Sequence, residues 1–470
     1  MTEMAKSAST TDSLLAMIRG GVPMSWKQQT GLAVTLSVPA ILSQVTAILM
    51  EYIDASMVGH LGADAAASIG ITAAATWMFT GLCIALATGF GVQVAHFVGA
   101  SNHSEARSTL RQAITVSAVF SCVLAAVGVI ISPYLPLWLG GNEHILPDAA
   151  RYFSIYSLAL PILQQGYLAS NMLRCCGNMK VPTMCNILMC VLDVTFNFLL
   201  IFPTRPITLM GITVTMPGAG LGVTGAALGT FLAVLVSGAV LVWFMLFRSK
   251  DLKIVGERGS FRPTRRCLHR AFTIGSPMGI ERIVMCGAQL VTTAIVAPIG
   301  SIAIAAHSFA ITVEGLCYMP GYGISEAATT LVGQSLGAGR HNLTKRFAYI
   351  TVAMGMAVMA LMGAVMYVFA PDMLSIMTES GDIISLGSQI LRIEAFAEPM
   401  FAASIVTYGI FVGLGKTILP TTINFTSIWV VRLTLAFFLA PVYGLVGVWI
   451  AMCVELCVRG SVFLIMLRKV

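Results

Sequence analysis

Residues 31–62 read GLAVTLSVPAILSQVTAILMEYIDASMVGHLG. The run from Gly31 to Met50 holds no Asp, Glu, Lys or Arg, and about 20 such residues suffice to cross a bilayer as a helix. Glu51 and Asp54 then stand near its end. A carboxylate in hydrocarbon costs at least roughly 2.5 kcal/mol even on lenient insertion scales. The two acids therefore either sit at a water interface or face a polar cavity, and this stretch alone leaves both readings open.

The rest of the chain resembles this stretch in character. Its 470 residues are 57% hydrophobic and only 10% charged, where soluble domains carry about 25% charged residues. Mean hydropathy is +0.87. The apolar runs are long and continuous rather than short and alternating, which points to an all-α polytopic membrane protein and away from a barrel. Twelve spans are expected, at roughly 31–53, 64–90, 109–134, 147–173, 182–203, 221–247, 270–297, 302–332, 347–370, 384–412, 420–441 and 444–467. The first 29 residues are polar and mixed, so no cleavable signal peptide is expected. Eleven cysteines fall mostly inside apolar runs. Their spacing offers no metal set, and they read as small packing residues.

The net charge of +7 follows from topology. With the N-terminus in the cytoplasm, the loop RSKDLKIVGERGSFRPTRRCLHR at 248–270 brings eight basic residues to the inner side, and the outer side receives only Arg151 and Arg205. This is the positive-inside pattern. It gives a multi-pass protein of the cytoplasmic membrane with both termini inside, and no nucleic-acid partner is needed to explain the charge.

A repeat runs through the chain. At an offset of 238, Pro39 returns as Pro277, Gly62 as Gly300, Gly99 as Gly337, Pro161 as Pro399, Gly177 as Gly415 and Asn186 as Asn424. Gly222 and Gly225 return as Gly444 and Gly447 at an offset of 222. The first half thus carries about 16 extra residues, RPITLMGITVTMPGAG at 205–220, expected to form an external hairpin or loop. Six spans per copy is an even number, so the repeats are parallel, a pattern associated with alternating access. The expected organisation is a cytoplasmic segment at 1–30, a six-helix lobe at 31–247, a basic linker at 248–269 and a second lobe at 270–470.

GFGVQVAHFVGASNHSEAR at 89–107 and GYGISEAATTLVGQSLGAGRHNLTKR at 321–346 resemble the paired motifs of the multidrug and toxic compound extrusion (MATE) transporters. MEYIDASMVGHLG at 50–62 resembles that family's first-helix motif, CVLDVTFNFLLIF at 190–202 its fifth helix, and GVTGAALGT at 222–230 the start of its sixth. The spacing of Pro277 to Glu281 and the Arg432 segment WVVRLTLAFFLAP resemble the DinF-like branch more than the NorM-like one. The resemblance implies a MATE-like fold of two parallel six-helix repeats and efflux of cationic, amphipathic compounds driven by H⁺ or Na⁺, with no other cofactor. It also implies that Asp54 belongs to the cation-coupling site. Asp193 and Asn197 lie i, i+4 on one face of the fifth span, in the reverse of the family's Asn-then-Asp order. Thr230 matches a sixth-helix hydroxyl near that site.

Among the remaining charges, Glu51 shares a helical face with Asp54, as a second acid or as a cavity-rim residue. Burial favours the protonated form of a carboxylate, and hard oxygen ligands can instead take Na⁺; Asp54 and Asp193 are the candidates for either. Glu281 and Arg282 follow Pro277 by one turn. They read as substrate or cation contacts, or Glu281 pairs with Arg432 or Arg459. Glu455 and Arg459 are i, i+4 and can pair with each other. Glu314, Glu326, Glu394 and Glu398 add further acids to the second lobe, and an acid-lined cleft would suit a cationic substrate. His96 and His307 read as hydrogen-bonded packing residues.

Two other classes compete. A flippase for a lipid or lipid-linked substrate would call for a cationic cleft, and here the intramembrane acids outnumber the bases. An intramembrane enzyme would need a metal or nucleophile constellation, and an ATP-driven pump a phosphate-binding loop; the sequence contains neither. The expected partners are small cationic or amphipathic molecules and the lipid bilayer, with the chain acting as a monomer.

Overall fold

A computed structural model describes residues 2–209 and 212–469, with side chains described for 11–204 and 217–469. The chain forms α1 (Thr2–Arg19), α2 (Trp26–Gly59), α3 (Ala63–Gly99), α4 (His103–Ile131), a short α5 (Leu135–Trp138), α6 (Leu146–Cys175) and α7 (Lys180–Ile201). Strands β1 (Pro203–Leu209) and β2 (Ile212–Ala219) come next, then α8 (Gly222–Trp243), which runs on through a π turn to Arg248. The second half holds α9 (Arg265–Val296), α10 (Ser301–Gly337), α11 (His341–Ser375), α12 (Gly381–Ala395), α13 (Glu398–Gly413), α14 (Ile418–Thr426) and α15 (Leu433–Leu467).

Among the described residues, ten helices are long and apolar enough to cross a membrane. The pair α12–α13, bent by 57°, makes an eleventh span. The thirty-residue α6 is the twelfth long element, made less apolar by polar residues such as Gln164, Gln165 and Asn171. The sequence reading places the last two spans at 420–441 and 444–467, and the structure breaks α15 at Gly444, whose φ is +59°, so that Ile418–Tyr443 and Leu445–Leu467 form the two spans. The extra segment of the first half, expected as an external hairpin or loop, is a two-stranded antiparallel hairpin; residues 210–211 lie outside the described residues. The N-terminal segment is not simply a polar tail, because α1 buries Leu15 and Ile18 among Leu36, Met179, Leu331 and Phe347.

Local chemistry sets the helix ends. Ser25 opens α2 with a capping box: Gln28 N–H donates to Ser25 Oγ, and Ser25 N–H donates to Gln28 Oε1. Gly62 and Gly300 turn the chain between the first two spans of each half, with φ of +116° and +124°. A side chain at either position would be strained.

The repeat is visible in how the halves meet. α3 and α10 cross at their C-terminal ends, where a Cβ on Gly99 would lie 2.1 Å from the Gln334 carbonyl oxygen and one on Gly337 would lie 2.1 Å from that of His96. These four residues form two pairs related by 238 positions (337 − 99 and 334 − 96), as a two-fold relation requires. Higher up, Gly323 of α10 meets the Ile41 backbone of α2, and Gly275 of α9 meets Ala85 of α3. Small residues that let backbones touch are the usual glue of membrane helices.

The end of the molecule carrying the basic loops is sealed across the halves. Arg174 of α6 pairs with Glu326 of α10, which also accepts from Gln44 Nε2 at 2.9 Å. Gln334 Nε2 donates to the Cys175 carbonyl at 2.7 Å, and His96 Nε2 lies 2.8 Å from the Gly413 carbonyl. Gly99→Ala and Gly337→Ala each place a methyl group where backbone now sits. Overpacking of this kind costs roughly 1–3 kcal/mol, so both variants lower the thermal unfolding midpoint of the purified protein; unchanged midpoints would contradict the packing described here.

Candidate functional site

α2, α7 and α8 meet around a group of polar side chains inside the first half. Asn197 donates from Nδ2 to Asp54 Oδ1 at 2.9 Å and to Asp193 Oδ2 at 3.1 Å. One amide therefore bridges two carboxyl groups from two helices. Asp193 and Asn197 are fully buried, Asp54 is half-buried, and the Asp54 carboxyl lies within hydrogen-bonding reach of Asp193. Two ionised carboxylates repel at this separation, and a proton between them removes the conflict. Thr230 of α8 sits beside Asp193.

The bridge depends on a glycine that the sequence reading did not single out. A Cβ on Gly229 of α8 would lie 2.1 Å from Asn197 Oδ1, so only a glycine lets α8 close over the amide. The signal was present in the small-residue run GVTGAALGT at 222–230. Tyr152 of α6 is a second unforeseen neighbour, within electrostatic reach of Asp54, Asp193 and Glu51. Glu51 itself makes no bond to the Asn197 bridge. It is exposed, within reach of Tyr167 of the first half and Tyr318 of the second.

The second half treats its charges differently. Glu281 accepts from Tyr408 Oη at 2.5 Å, Asn424 Nδ2 at 2.6 Å and Thr421 Oγ1 at 3.1 Å. The expected pairing of Glu281 with Arg432 or Arg459 is therefore replaced by three neutral donors. Both arginines instead hold Glu455: Arg432 Nη2 lies 2.7 Å from Oε2 and Arg459 Nε 3.1 Å from Oε1, while Ser427 Oγ donates at 2.6 Å. The reason is position, since the π turn at Ser427–Arg432 aims Arg432 at α15. Arg282 lays its stem against Gly81 of α3, a contact between the halves.

The idea of an acid-lined cleft in the second half also needs correcting. Glu394, Glu398 and Glu455 are at most 1% exposed, so they lie in the helix packing rather than along an open surface. Among the described residues, neither oxygen of Glu394 or Glu398 has a hydrogen-bond partner. His96 lies against Arg270 Nη2 at 2.6 Å, and His307 Nδ1 accepts from Trp449 Nε1 at 3.1 Å. Both histidines are thus bonded within the packing.

Removing one member of the Glu455 group separates structure from site. Glu455→Gln leaves the buried Arg459 and half-buried Arg432 guanidinium groups without their counter-charge, a change that costs about 3–5 kcal/mol. Thermal unfolding of the purified variant shows a large loss, whereas Asp54→Asn, which keeps a hydrogen-bonding group of the same size, changes it little. Equal losses in both variants would contradict this division.

The MatE family model matches the chain twice, over residues 39–199 and 277–438. The two matches start 238 residues apart (277 − 39), the offset of the repeat. The "Probable multidrug resistance protein NorM" of Thermotoga maritima is 25% identical over 437 residues, covering 92% of this chain and 90% of the relative. The protein of the same name from Idiomarina loihiensis is 24% identical over 441 residues, covering 93% of each. Among solved structures, an outward-facing multidrug resistance MATE family transporter of the MOP superfamily superposes with a TM-score of 0.86 at 19% identity over 97% of both chains. The Vibrio cholerae MATE transporter VcmN superposes with a TM-score of 0.83 at 18% identity over 98% of both, and at such identities the likeness concerns the fold alone. The two family matches together take in more than half of the residues, and the chain belongs to the MatE family of membrane transporters.

Proposed function

We propose that this chain is a cation-coupled multidrug antiporter that exports cationic, amphipathic compounds by alternating access. The observation that carries the reading is the Asn197 bridge between Asp54 and Asp193. A pair of carboxyl groups held together inside a membrane helix bundle changes its charge when it gains or loses a proton. The relatives named as multidrug resistance proteins support the substrate class, and the exposed Glu51, within electrostatic reach of Tyr167 and Tyr318 from the two halves, supports a cationic, partly apolar ligand.

We choose H⁺ over Na⁺ as the coupling ion because the Asp54 and Asp193 carboxyl groups come within hydrogen-bonding reach of each other, so that one proton can be shared between them. With a proton shared by Asp54 and Asp193, the site carries one negative charge fewer and the polar cavity closes at lower cost. Without it, the two carboxylates favour hydration or a bound organic cation. Each ligand thus prefers a different state, which is what exchange requires.

In this reading the basic end faces the cytoplasm, the protein sits in the inner membrane with both termini inside, and it works as a monomer. The sealed contacts at Arg174–Glu326 and Gly99–Gly337 close the cytoplasmic side. The two six-helix halves then rock about the touching backbones of α2–α10 and α3–α9.

Inside-out vesicles carrying the protein test this with a fluorescent cationic dye. A proton gradient, acid inside, drives dye uptake. A Na⁺ gradient alone does not, and Asp54→Asn and Asp193→Asn fall to the level of empty vesicles. Uptake under a Na⁺ gradient alone would overturn the choice of ion. No uptake under either gradient by correctly folded protein would overturn the multidrug reading in favour of a lipid-type substrate.

A further inference from the structure

A pocket of about 390 Å³ lies at the basic end, away from the carboxylate pair. It is lined by α1, by Thr35, Leu36 and Pro39 of α2, by the start of α7 with the residues just before it, and by the end of α8. Four cationic side chains line it (Arg19, Lys180, Arg248 and Lys250) against two acids, Asp12 and Asp251. Each acid is already engaged: Asp12 with Lys250 at 2.7 Å, and Asp251 with Arg19 at 3.5 Å and His103 at 3.2 Å. Among the described residues, the lining therefore holds more cationic than acidic side chains. A second hollow alongside shares Arg248 and Lys250 and adds Lys253.

The same pocket has an apolar side. Leu15, Leu36, Pro39 and Phe244 contribute to its lining. Beside it, Val34 and Val38 of α2 are 42% and 58% exposed, and Met184, one turn into α7, is 63% exposed. Such apolar surface on a spanning helix faces hydrocarbon. The π turn after α8 stacks Trp243 on Phe247 at 6.2 Å and sets Arg248 over the Trp243 ring at 5.7 Å. Exposed aromatic residues with an adjacent arginine mark the headgroup level of a membrane. Basic pockets between helices on the cytoplasmic side suit anionic headgroups.

We propose that this pocket binds the phosphate of an anionic phospholipid headgroup through Lys180, Arg248 and Lys250, with the acyl chains lying along α2 and α7. The proposal rests on the orientation given above, in which this end meets the cytoplasmic leaflet. It has a mechanical consequence, because α1 touches both halves. Arg19 Nη2 donates to the Cys176 carbonyl of the first half at 3.0 Å. Arg340 Nη1 of the second half donates to the Met17 carbonyl at 2.9 Å. A headgroup that holds α1 in place holds the basic end shut, since it binds this state better than an opened one.

The test uses the full-length protein in nanodiscs of phosphatidylcholine, alone or with added phosphatidylglycerol. Amide hydrogen exchange of residues 11–19 and native mass spectrometry of retained lipid are both read. Phosphatidylglycerol slows exchange in α1 and stays bound to the protein. The double variant Lys180→Gln/Arg248→Gln weakens that binding by about fivefold for each residue removed, while Arg392→Gln, on an exposed surface of the other half, does not. Equal exchange in the two lipids, or undiminished phosphatidylglycerol retention in the double variant, overturns the site. Slowed exchange in pure phosphatidylcholine on adding glycerol phosphate assigns the site to soluble phosphate and overturns the lipid source. None of these readouts requires transport, so a failed dye assay leaves them standing, and the reverse also holds.

Discussion

A carboxylate buried among membrane helices has to find a cation, a set of donors or a proton, because hydrocarbon supplies no water to stabilise its charge. This chain meets that constraint in several ways. Glu455 takes two guanidinium groups and a hydroxyl, which fixes it as a permanent ion cluster. Glu281 takes three neutral donors. Asp54 and Asp193 share a single amide, too little to satisfy two negative charges at once. Glu394 and Glu398 have no hydrogen-bond partner among the described residues and are closed into the helix packing. The Asp54–Asp193 pair is short of donors and also reachable through the half-buried Asp54, which makes it the natural place for ion coupling.

The two halves share a backbone plan but not a side-chain plan. Ser43 and Glu281 occupy equivalent positions, 238 residues apart. Asn186 Nδ2 donates to Ser43 Oγ at 2.5 Å in one half, and Asn424 Nδ2 to Glu281 Oε1 at 2.6 Å in the other. The same scaffold thus presents a hydroxyl on one side and a carboxylate on the other. In the first half, Ser43 also accepts from Arg174 at 2.9 Å, and that arginine closes the basic end through Glu326. The constraint of partnered charge therefore links the two-fold fold to the contacts that seal one face.

Much of this was legible in the sequence because it rests on backbone punctuation. Pro39 and Pro277, or Gly62 and Gly300, recur at a fixed offset since each marks a kink or a left-handed turn that other residues fill poorly. The i, i+4 spacing of Asp193 and Asn197 placed them on one helical face, and Asn197 joins Asp193 to Asp54 across α2 and α7. The choice of partner for Glu281 was not legible. Arg432 and Arg459 are close to it in composition and charge, but helix packing and the π turn at Ser427–Arg432 direct both to Glu455. α1 was missed because its apolar run, LLAMI at 14–18, is only five residues long within a polar stretch, and its meaning depends on hollows built by Met179, Leu331 and Phe347 far along the chain. Gly229 was hidden for the same reason: a glycine shows its purpose only once the side chain it admits is known.

The most direct measurement is proton release on ligand binding. Purified protein in weakly buffered detergent solution is titrated with a cationic dye while a pH indicator follows the bulk solution. If the Asn197-bridged pair exchanges its proton for substrate, binding releases protons from the wild type, and Asp54→Asn and Asp193→Asn bind dye without release. Dye binding with no proton release from the wild type, or equal release from both variants, would contradict the assignment of coupling to this pair.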